Sequence, residues 1–302
     1  MRFIAGLLGC LIPAVALHAA DIERRCNSTG AACVIDFSGE IVSGDAERMA
    51  QVLLEPLPSG KSHIRALEID SLGGDVVEAL RIGELVRQNM LGVSIALSAH
   101  DDSDAQSSRR GSGADRVCAS ACVLVLMSAP ARSVRNARVG LHRPRLRADF
   151  YRHQSPSAIA RAHGELDRKV RETVVAGGMP TDLIDRMMRH ASNELLWLAG
   201  GDLSSLDNEA PWYQEMQIAL CGANGRSERI SAAAFQSGPQ QLTDAAARAA
   251  SDASCGIAIA TREQAKFRAA NPLRASKQGG AKSAAADFHR ASTLSGGITV
   301  PR

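Results

Sequence analysis

Three short segments of this sequence carry residues that together could perform nucleophilic chemistry on an acyl group. Gly73-Gly74 follows an apolar stretch, and glycines let a backbone N–H approach a substrate oxygen with no Cβ in the way. Ser120 stands in the run Val-Cys-Ala-Ser-Ala-Cys at the start of a helical pattern, where backbone donors favour negative charge. His142 ends the next short apolar stretch and has the chemistry of a general base. These three features predict an acyl-transfer site.

The segments that must position these residues alternate between strand and helix patterns. The patterns predict strands over 33–37, 64–70, 93–97 and 138–142, and helices over 43–54, 76–86, 118–128, 157–175 and 181–190. Strands separated by helices of this length imply parallel βαβ units with right-handed crossovers. We therefore expect an α/β fold with a mainly parallel sheet flanked by helices, and flexible surface loops over 98–116 and 143–152.

Composition limits the classes of partner. Of the 302 residues, 45% are hydrophobic but only 3% are aromatic, so the core must be built from aliphatic side chains. The net charge is only +3, from 35 basic and 32 acidic residues, so no overall field selects a polyanion. We expect no nucleic-acid partner.

The first twenty residues predict a secretory signal peptide cleaved near Ala20, since a cationic start precedes a short apolar stretch and small residues. The apolar stretch is shorter than the roughly 20 residues that a membrane span requires, so we expect no stable span. Residues 21–210 are expected to form the main domain, 211–263 a C-terminal cysteine-containing extension, and 264–302 a disordered tail. The protein is expected to be periplasmic or secreted.

The number of cysteines fits an oxidising compartment, because removal of the signal peptide takes Cys10 and leaves six of the seven, an even number that can pair. Cys26 with Cys33, and Cys221 with Cys255, are candidate bridges that would close local loops. Cys118 and Cys122 lie one helical turn apart, which leaves open a structural bridge, two buried small side chains or a redox pair. The spacings match no zinc pattern, so we expect no metal and no cofactor.

Three motifs in this order resemble the proteolytic subunit family of Clp-type serine peptidases, within the Clp/crotonase-like superfamily. They are the segments Asp70–Asp75, Cys118–Cys122 and Asn136–Pro144, and the resemblance spans about residues 33–206. It implies repeated ββα units, Ser120 as nucleophile and His142 as base. It also implies that the backbone N–H groups of Gly73 and Ala121 form the oxyanion hole, and that Gly74 and the following helix shape a peptide groove.

The sequence departs from the family at the third catalytic member. The family's Asp lies some fifty residues beyond the His, where this sequence has no Asp close to Trp197. Asn193 is the candidate we name, because its amide oxygen can orient an imidazole, and Glu194 could do so as a carboxylate. Asp185 or Asp202 would require a shifted alignment. A Ser/Lys dyad is disfavoured, since neither Lys61 nor Lys169 lies in a recognisable motif.

The leading hypothesis is an exported serine peptidase-like hydrolase that acts through an acyl-enzyme on peptides or unfolded proteins. The alternative is a catalytically impaired peptide- or protein-binding protein of the cell envelope with the same fold. Acyl-thioester chemistry is a third, weaker hypothesis. The resemblance implies a homo-oligomer, while export removes any expectation of an ATPase partner.

Overall fold

The structure is a computed structural model that describes residues 19–59, 62–95, 116–134, 137–222 and 239–272, the side chains of 239–252 excepted. The predicted signal peptide lies outside the described residues up to residue 18. Most of the predicted 98–116 loop and the part of the predicted tail beyond residue 272 also lie outside them.

The chain alternates between strands and helices along most of its length. The strands are β1 (Asp21–Cys26), β2 (Ala32–Ser38), β3 (His63–Asp70), β4 (Gly92–Ser94), β5 (Arg116–Ala119), β6 (Arg132–Ser133), β7 (Ala137–Leu141) and β8 (Leu196–Trp197). The helices are α1 (Asp45–Leu54), α2 (Val76–Gln88), α3 (Cys122–Ser128), α4 (Ala148–His153), α5 (Pro156–Ala176), α6 (Thr181–Arg189), α7 (Gly200–Ser204), α8 (Pro211–Cys221) and α9 (Pro239–Ala270).

Two sheets form the β structure of the described residues. One has the order β1-β2-β3-β4-β6, in which β1 is antiparallel to β2 and the other neighbours are parallel. The second has the order β5-β7-β8, with β5 parallel to β7 and β8 antiparallel to β7. The predicted α/β class, with a mainly parallel sheet and flanking helices, is confirmed.

Helix α3 lies at the centre of the packing. All seven of its residues are buried, as expected for a helix that is apolar around its whole circumference. It packs against α2 and α5, and two glycines allow this close approach: Gly83 of α2 lies against Ser128, and Gly177 after α5 lies against Met127. Close backbone packing thus takes much of the place of aromatic side chains, which make up only 3% of this sequence.

Three predicted boundaries are wrong. The segment 118–128 is not one helix, because β5 continues through Ala119 and α3 begins only at Cys122. Part of the predicted loop 143–152 forms α4. The predicted disordered tail from residue 264 is also wrong at its start, because α9 continues to Ala270 and Phe267 is buried in the core.

Gln264 of α9 explains why the chain stays ordered there. Its side chain is 1% exposed and accepts a hydrogen bond from the Ile64 N–H at 3.0 Å. Its amide donates to the carbonyls of Ile64 at 2.6 Å and Asn89 at 3.1 Å. Since β4 pairs with β3 only from Ala66 onward, the Gln264 amide takes the place of a neighbouring strand at Ile64.

The six cysteines within the described residues are paired as three disulfides. The predicted bridges Cys26–Cys33 and Cys221–Cys255 are confirmed, and Cys118 is bonded to Cys122. In the part of the chain that the structure describes, no helix is both long and apolar enough to cross a membrane.

We predict that Gln264→Leu lowers the free energy of unfolding by about 2–4 kcal/mol, because it leaves buried backbone donors and acceptors without partners. Urea unfolding followed by circular dichroism measures this change. The control is Arg262→Ala on the same helix, whose side chain is 54% exposed and should have little effect. Equal urea midpoints for the two variants would show that the Gln264 hydrogen bonds do not stabilise the fold.

Candidate active site

Ser120 occupies a sharp turn between β5 and α3. Its φ of 57° lies in the left-handed region, which costs a non-glycine residue about 1–2 kcal/mol. The turn is held by the Ser120 N–H, which donates to the Gly140 carbonyl at 2.9 Å, and by the Ser120 carbonyl, which accepts from the Val123 N–H at 3.1 Å. A serine on a strained strand-to-helix turn is an arrangement that presents a nucleophilic hydroxyl.

His142 lies within hydrogen-bond distance of this hydroxyl. Its Nε2 is 2.7 Å from Ser120 Oγ, and its Nδ1 is 2.7 Å from the backbone carbonyl oxygen of Arg143. Because a carbonyl oxygen can only accept, Nδ1 must carry the proton. Nε2 of the neutral imidazole is then an acceptor, and the Ser120 hydroxyl donates to it. The imidazole is thus held in the tautomer that a general base requires.

Among the described residues, no side chain other than Ser120 is hydrogen-bonded to His142. Asn193 is exposed in the turn before β8, and its side chain makes no hydrogen bond within the described residues. Asp185 is paired with Arg171 at 3.6 Å, and Asp202 with Arg186 at 2.7 Å. The orienting acceptor is instead the Arg143 carbonyl, which the sequence analysis missed.

One feature of the sequence bears on the direction of the Arg143 carbonyl. Arg143 is followed by Pro144, and a residue before proline is restricted to extended conformations, which limits where its carbonyl points. Pro144 is buried, and the Arg143 N–H donates to the His190 carbonyl at 3.4 Å. These contacts fix the backbone on both sides of the acceptor.

The glycine turn lies directly against the Ser120 turn. Gly73 has a φ of 98°, and a Cβ at this position would come within 2.7 Å of both the Ala119 carbonyl oxygen and Ser120 Cβ. Ser71 makes the connection between the two sheets, since its N–H donates to the Val117 carbonyl at 2.8 Å and its carbonyl accepts from the Ala119 N–H at 3.0 Å. Only glycine permits this close approach.

The two predicted oxyanion donors differ in whether their N–H group already has an acceptor. The Ala121 N–H, at the start of α3, has no acceptor among the described residues. The Gly73 N–H donates to Ser71 Oγ at 3.1 Å, so a substrate oxygen would have to replace that hydroxyl. Ser71 was not anticipated from the sequence.

Gly74 continues the turn beside Ile41. The two residues form a parallel bridge, and the Asp75 N–H donates to the Ile41 carbonyl at 2.8 Å, so one backbone edge of the turn is already paired. The turn also borders an open depression of about 540 Å³. The residues that line it are Ser38, Gly39, Glu40, Asp70, Ser71, Leu72, Gly73 and Val117.

Asp75 and Arg147 form an ion pair beside the glycine turn. Asp75 caps α2 through hydrogen bonds from the Val77 and Glu78 N–H groups at 2.8 and 3.1 Å, and its carboxylate lies 3.7 Å from the Arg147 guanidinium. Arg147 is largely exposed, so this ion pair contributes little. Within the described residues, no group of three or more His, Cys, Asp or Glu side chains could hold a metal ion.

Comparisons with known proteins give only weak likeness. No protein-family model matches the sequence, and no curated protein matches it. The chain is similar to a solved structure of a ClpP1 mutant from Listeria monocytogenes, with 18% identity over 58% of this chain and 86% of that chain and a TM-score of 0.37. It is also similar to a mutant of the membrane-bound stomatin-specific protease 1510-N, with 12% identity over 59% and 75% of the two chains and a TM-score of 0.37.

We predict that Gly73→Ala destabilises the protein by about 1–3 kcal/mol more than Gly44→Ala, because the added Cβ collides with the Ser120 turn. The two glycines share a φ of 98°, but a Cβ on Gly44 meets nothing within 4 Å. The control therefore carries the backbone strain without the collision. Urea unfolding of both variants measures the difference, and equal loss in the two would show that the turns are not in close contact.

Proposed function

We propose that this protein is an exported serine hydrolase that cleaves peptide bonds through an acyl-enzyme on Ser120. The observation that carries the proposal is the 2.7 Å distance between Ser120 Oγ and His142 Nε2, with Nδ1 bound to a fixed acceptor. A nucleophile, a base in the correct tautomer and a free backbone donor at Ala121 are the parts that acyl transfer requires.

The reaction would proceed in two stages. In the first, Ser120 Oγ attacks the substrate carbonyl carbon while its proton moves to His142 Nε2, which then passes the proton to the leaving amine. The developing oxyanion accepts from the Ala121 N–H and, once Ser71 Oγ is displaced, from the Gly73 N–H. In the second stage His142 removes a proton from water, which attacks the ester carbonyl. His142 then returns this proton to Ser120 Oγ as the C–O bond breaks, which releases the acid and the free serine.

The acceptor for His142 Nδ1 is a neutral carbonyl and not a carboxylate, and this difference lowers the turnover rate that we expect. The Arg143 carbonyl fixes the tautomer, but it carries no full charge to stabilise the imidazolium that forms during the reaction. We therefore expect slow turnover. A tautomer held the wrong way costs about 10⁴-fold in turnover, and this loss is avoided here.

Substrate class, assembly and location form the remainder of the proposal. The resemblance of the three sequence motifs to Clp-type peptidases supports a peptide or unfolded-protein substrate and a homo-oligomer. The three disulfides support a periplasmic or secreted location, because such bridges persist in oxidising compartments. An exported enzyme of this kind would act without an ATPase partner.

A second candidate function is a peptide- or protein-binding protein of the cell envelope without turnover. Two observations favour it: His142 Nδ1 is paired with a backbone carbonyl and not with a side chain, and a hydrogen bond already occupies the Gly73 N–H. Reactivity of Ser120 distinguishes the two candidates.

We expect a fluorophosphonate probe to label the wild-type protein on Ser120, because the hydroxyl is paired with a base. Ser120→Ala should remove the label, and His142→Ala should slow labelling by about 10²–10⁴-fold, the usual contribution of general-base catalysis. Gel fluorescence and mass spectrometry of the labelled peptide provide the measurement. Absence of label on the folded wild-type protein would favour the binding protein instead.

We also expect Asn193→Ala to leave the labelling rate within about twofold of wild type, because the backbone of Arg143 orients His142. Loss of a true side-chain orienter costs far more, about 10⁴-fold in a serine protease triad. The same probe and time course measure this, with His142→Ala as the sensitive reference. If Asn193→Ala slowed labelling as much as His142→Ala does, Asn193 would be the residue that orients His142.

A further inference from the structure

The Cys118–Cys122 disulfide encloses the reactive serine. Cys118 lies in β5 and Cys122 is the first residue of α3, with Cα atoms 5.3 Å apart and both residues 0% exposed. Between them stand only Ala119, Ser120 and Ala121. The covalent ring therefore contains both the hydroxyl and the free N–H on which the proposed reaction depends.

The ring compensates for a missing helix cap. The N-cap position of α3 is Ala121, which offers no side-chain hydrogen bond to the first turn. The neighbouring Ser120 hydroxyl, a typical capping group, is used by His142 instead. A turn with a left-handed residue and an uncapped helix start persists only when other contacts determine it.

Global stability does not account for a bridge at this position. Disulfides stabilise proteins mainly by constraining the unfolded chain, and the effect grows with the length of the closed loop. The bridged residues are 4 apart in sequence here, against 7 for Cys26–Cys33 and 34 for Cys221–Cys255. Of the three bridges, this one constrains the unfolded chain the least, and it alone contains residues of the site.

We propose that Cys118 and Cys122 are positioning residues, whose disulfide holds Ser120 Oγ against His142 and aims the Ala121 N–H at the substrate oxygen. The proposal rests on the proposed function, since it concerns the reactivity of the same serine. It implies that Ser120 is competent only when this bridge is formed, so that activity is confined to oxidising surroundings.

The test compares two double variants that each remove one disulfide. Cys118→Ala/Cys122→Ala opens the ring around Ser120, while the control Cys26→Ala/Cys33→Ala opens the β1–β2 hairpin, which holds no residue of the proposed nucleophile, base or oxyanion hole. Fluorophosphonate labelling at several concentrations separates the binding constant of the probe from its maximal rate of reaction. Urea unfolding of each variant reports stability.

We expect the maximal labelling rate of Cys118→Ala/Cys122→Ala to fall about tenfold or more, because misplacement of a reacting group by about 1 Å costs on the order of 10²-fold. Its unfolding midpoint should fall no further than that of the control. The control should keep its labelling rate within about twofold of wild type. An unchanged rate in the site variant, or equal rate losses in both variants, overturns the proposal.

A measurement on the unaltered chain covers the case in which the site variant does not fold. The wild-type protein is treated with dithiothreitol at a urea concentration below the unfolding transition. One molecule of dithiothreitol gives two electrons and two protons to the Cys118–Cys122 disulfide, which becomes two thiols, while the dithiothreitol closes to its cyclic disulfide. The labelling rate should fall with the reduced fraction of this bridge, measured by mass spectrometry, and recover on reoxidation. Full labelling with the bridge reduced overturns the proposal, whereas absence of labelling in oxidised wild type overturns the proposed function as well.

Discussion

The contact between the glycine turn after β3 and the serine turn after β5 is the constraint on which the site depends. Ser71 joins the two turns through backbone hydrogen bonds on both sides, and Gly73 lies where any Cβ would strike the Ser120 turn. This contact fixes Gly73, Ser120 and the start of α3 relative to one another. It also connects the two sheets, so a shift of β3 against β5 would separate the parts of the site.

Electrostatics at His142 follow from backbone geometry rather than from a charged partner. A carbonyl oxygen accepts one hydrogen bond from Nδ1 and so selects the reactive tautomer, as a carboxylate does. It differs from a carboxylate in supplying no full counter-charge of its own to a protonated imidazole. In the proposed reaction this carbonyl would orient His142 without the charge stabilisation of a carboxylate, which would make the Ser120 turn and the Ala121 N–H more important.

The sequence predicts the strands and helices of this fold better than it predicts where they end and which distant residues they contact. Strand and helix periods are visible from β2 to α6, because buried aliphatic residues recur at the spacing of each element. The end of β5 was missed because Cys118 and Ala119 are small residues that suit a strand or a helix equally. The order at Gln264 was missed because its partners, Ile64 and Asn89, lie far away in the sequence. The acceptor at His142 had no side-chain signature, since every residue carries a carbonyl.

Small residues explain how a chain with so few aromatics holds a strained turn in place. Gly83 and Gly177 let α2 and α5 approach α3, whose seven residues are all buried. Close contact on every face leaves α3 little freedom to tilt, because densely packed interiors transmit displacement rather than absorb it. A fixed α3 holds Cys122 in position, and Cys122 is bonded to Cys118 on the rigid strand β5. The unfavourable conformation of Ser120 is therefore held at both ends by elements that cannot relax independently, which is the preorganisation that the proposed role of Ser120 requires.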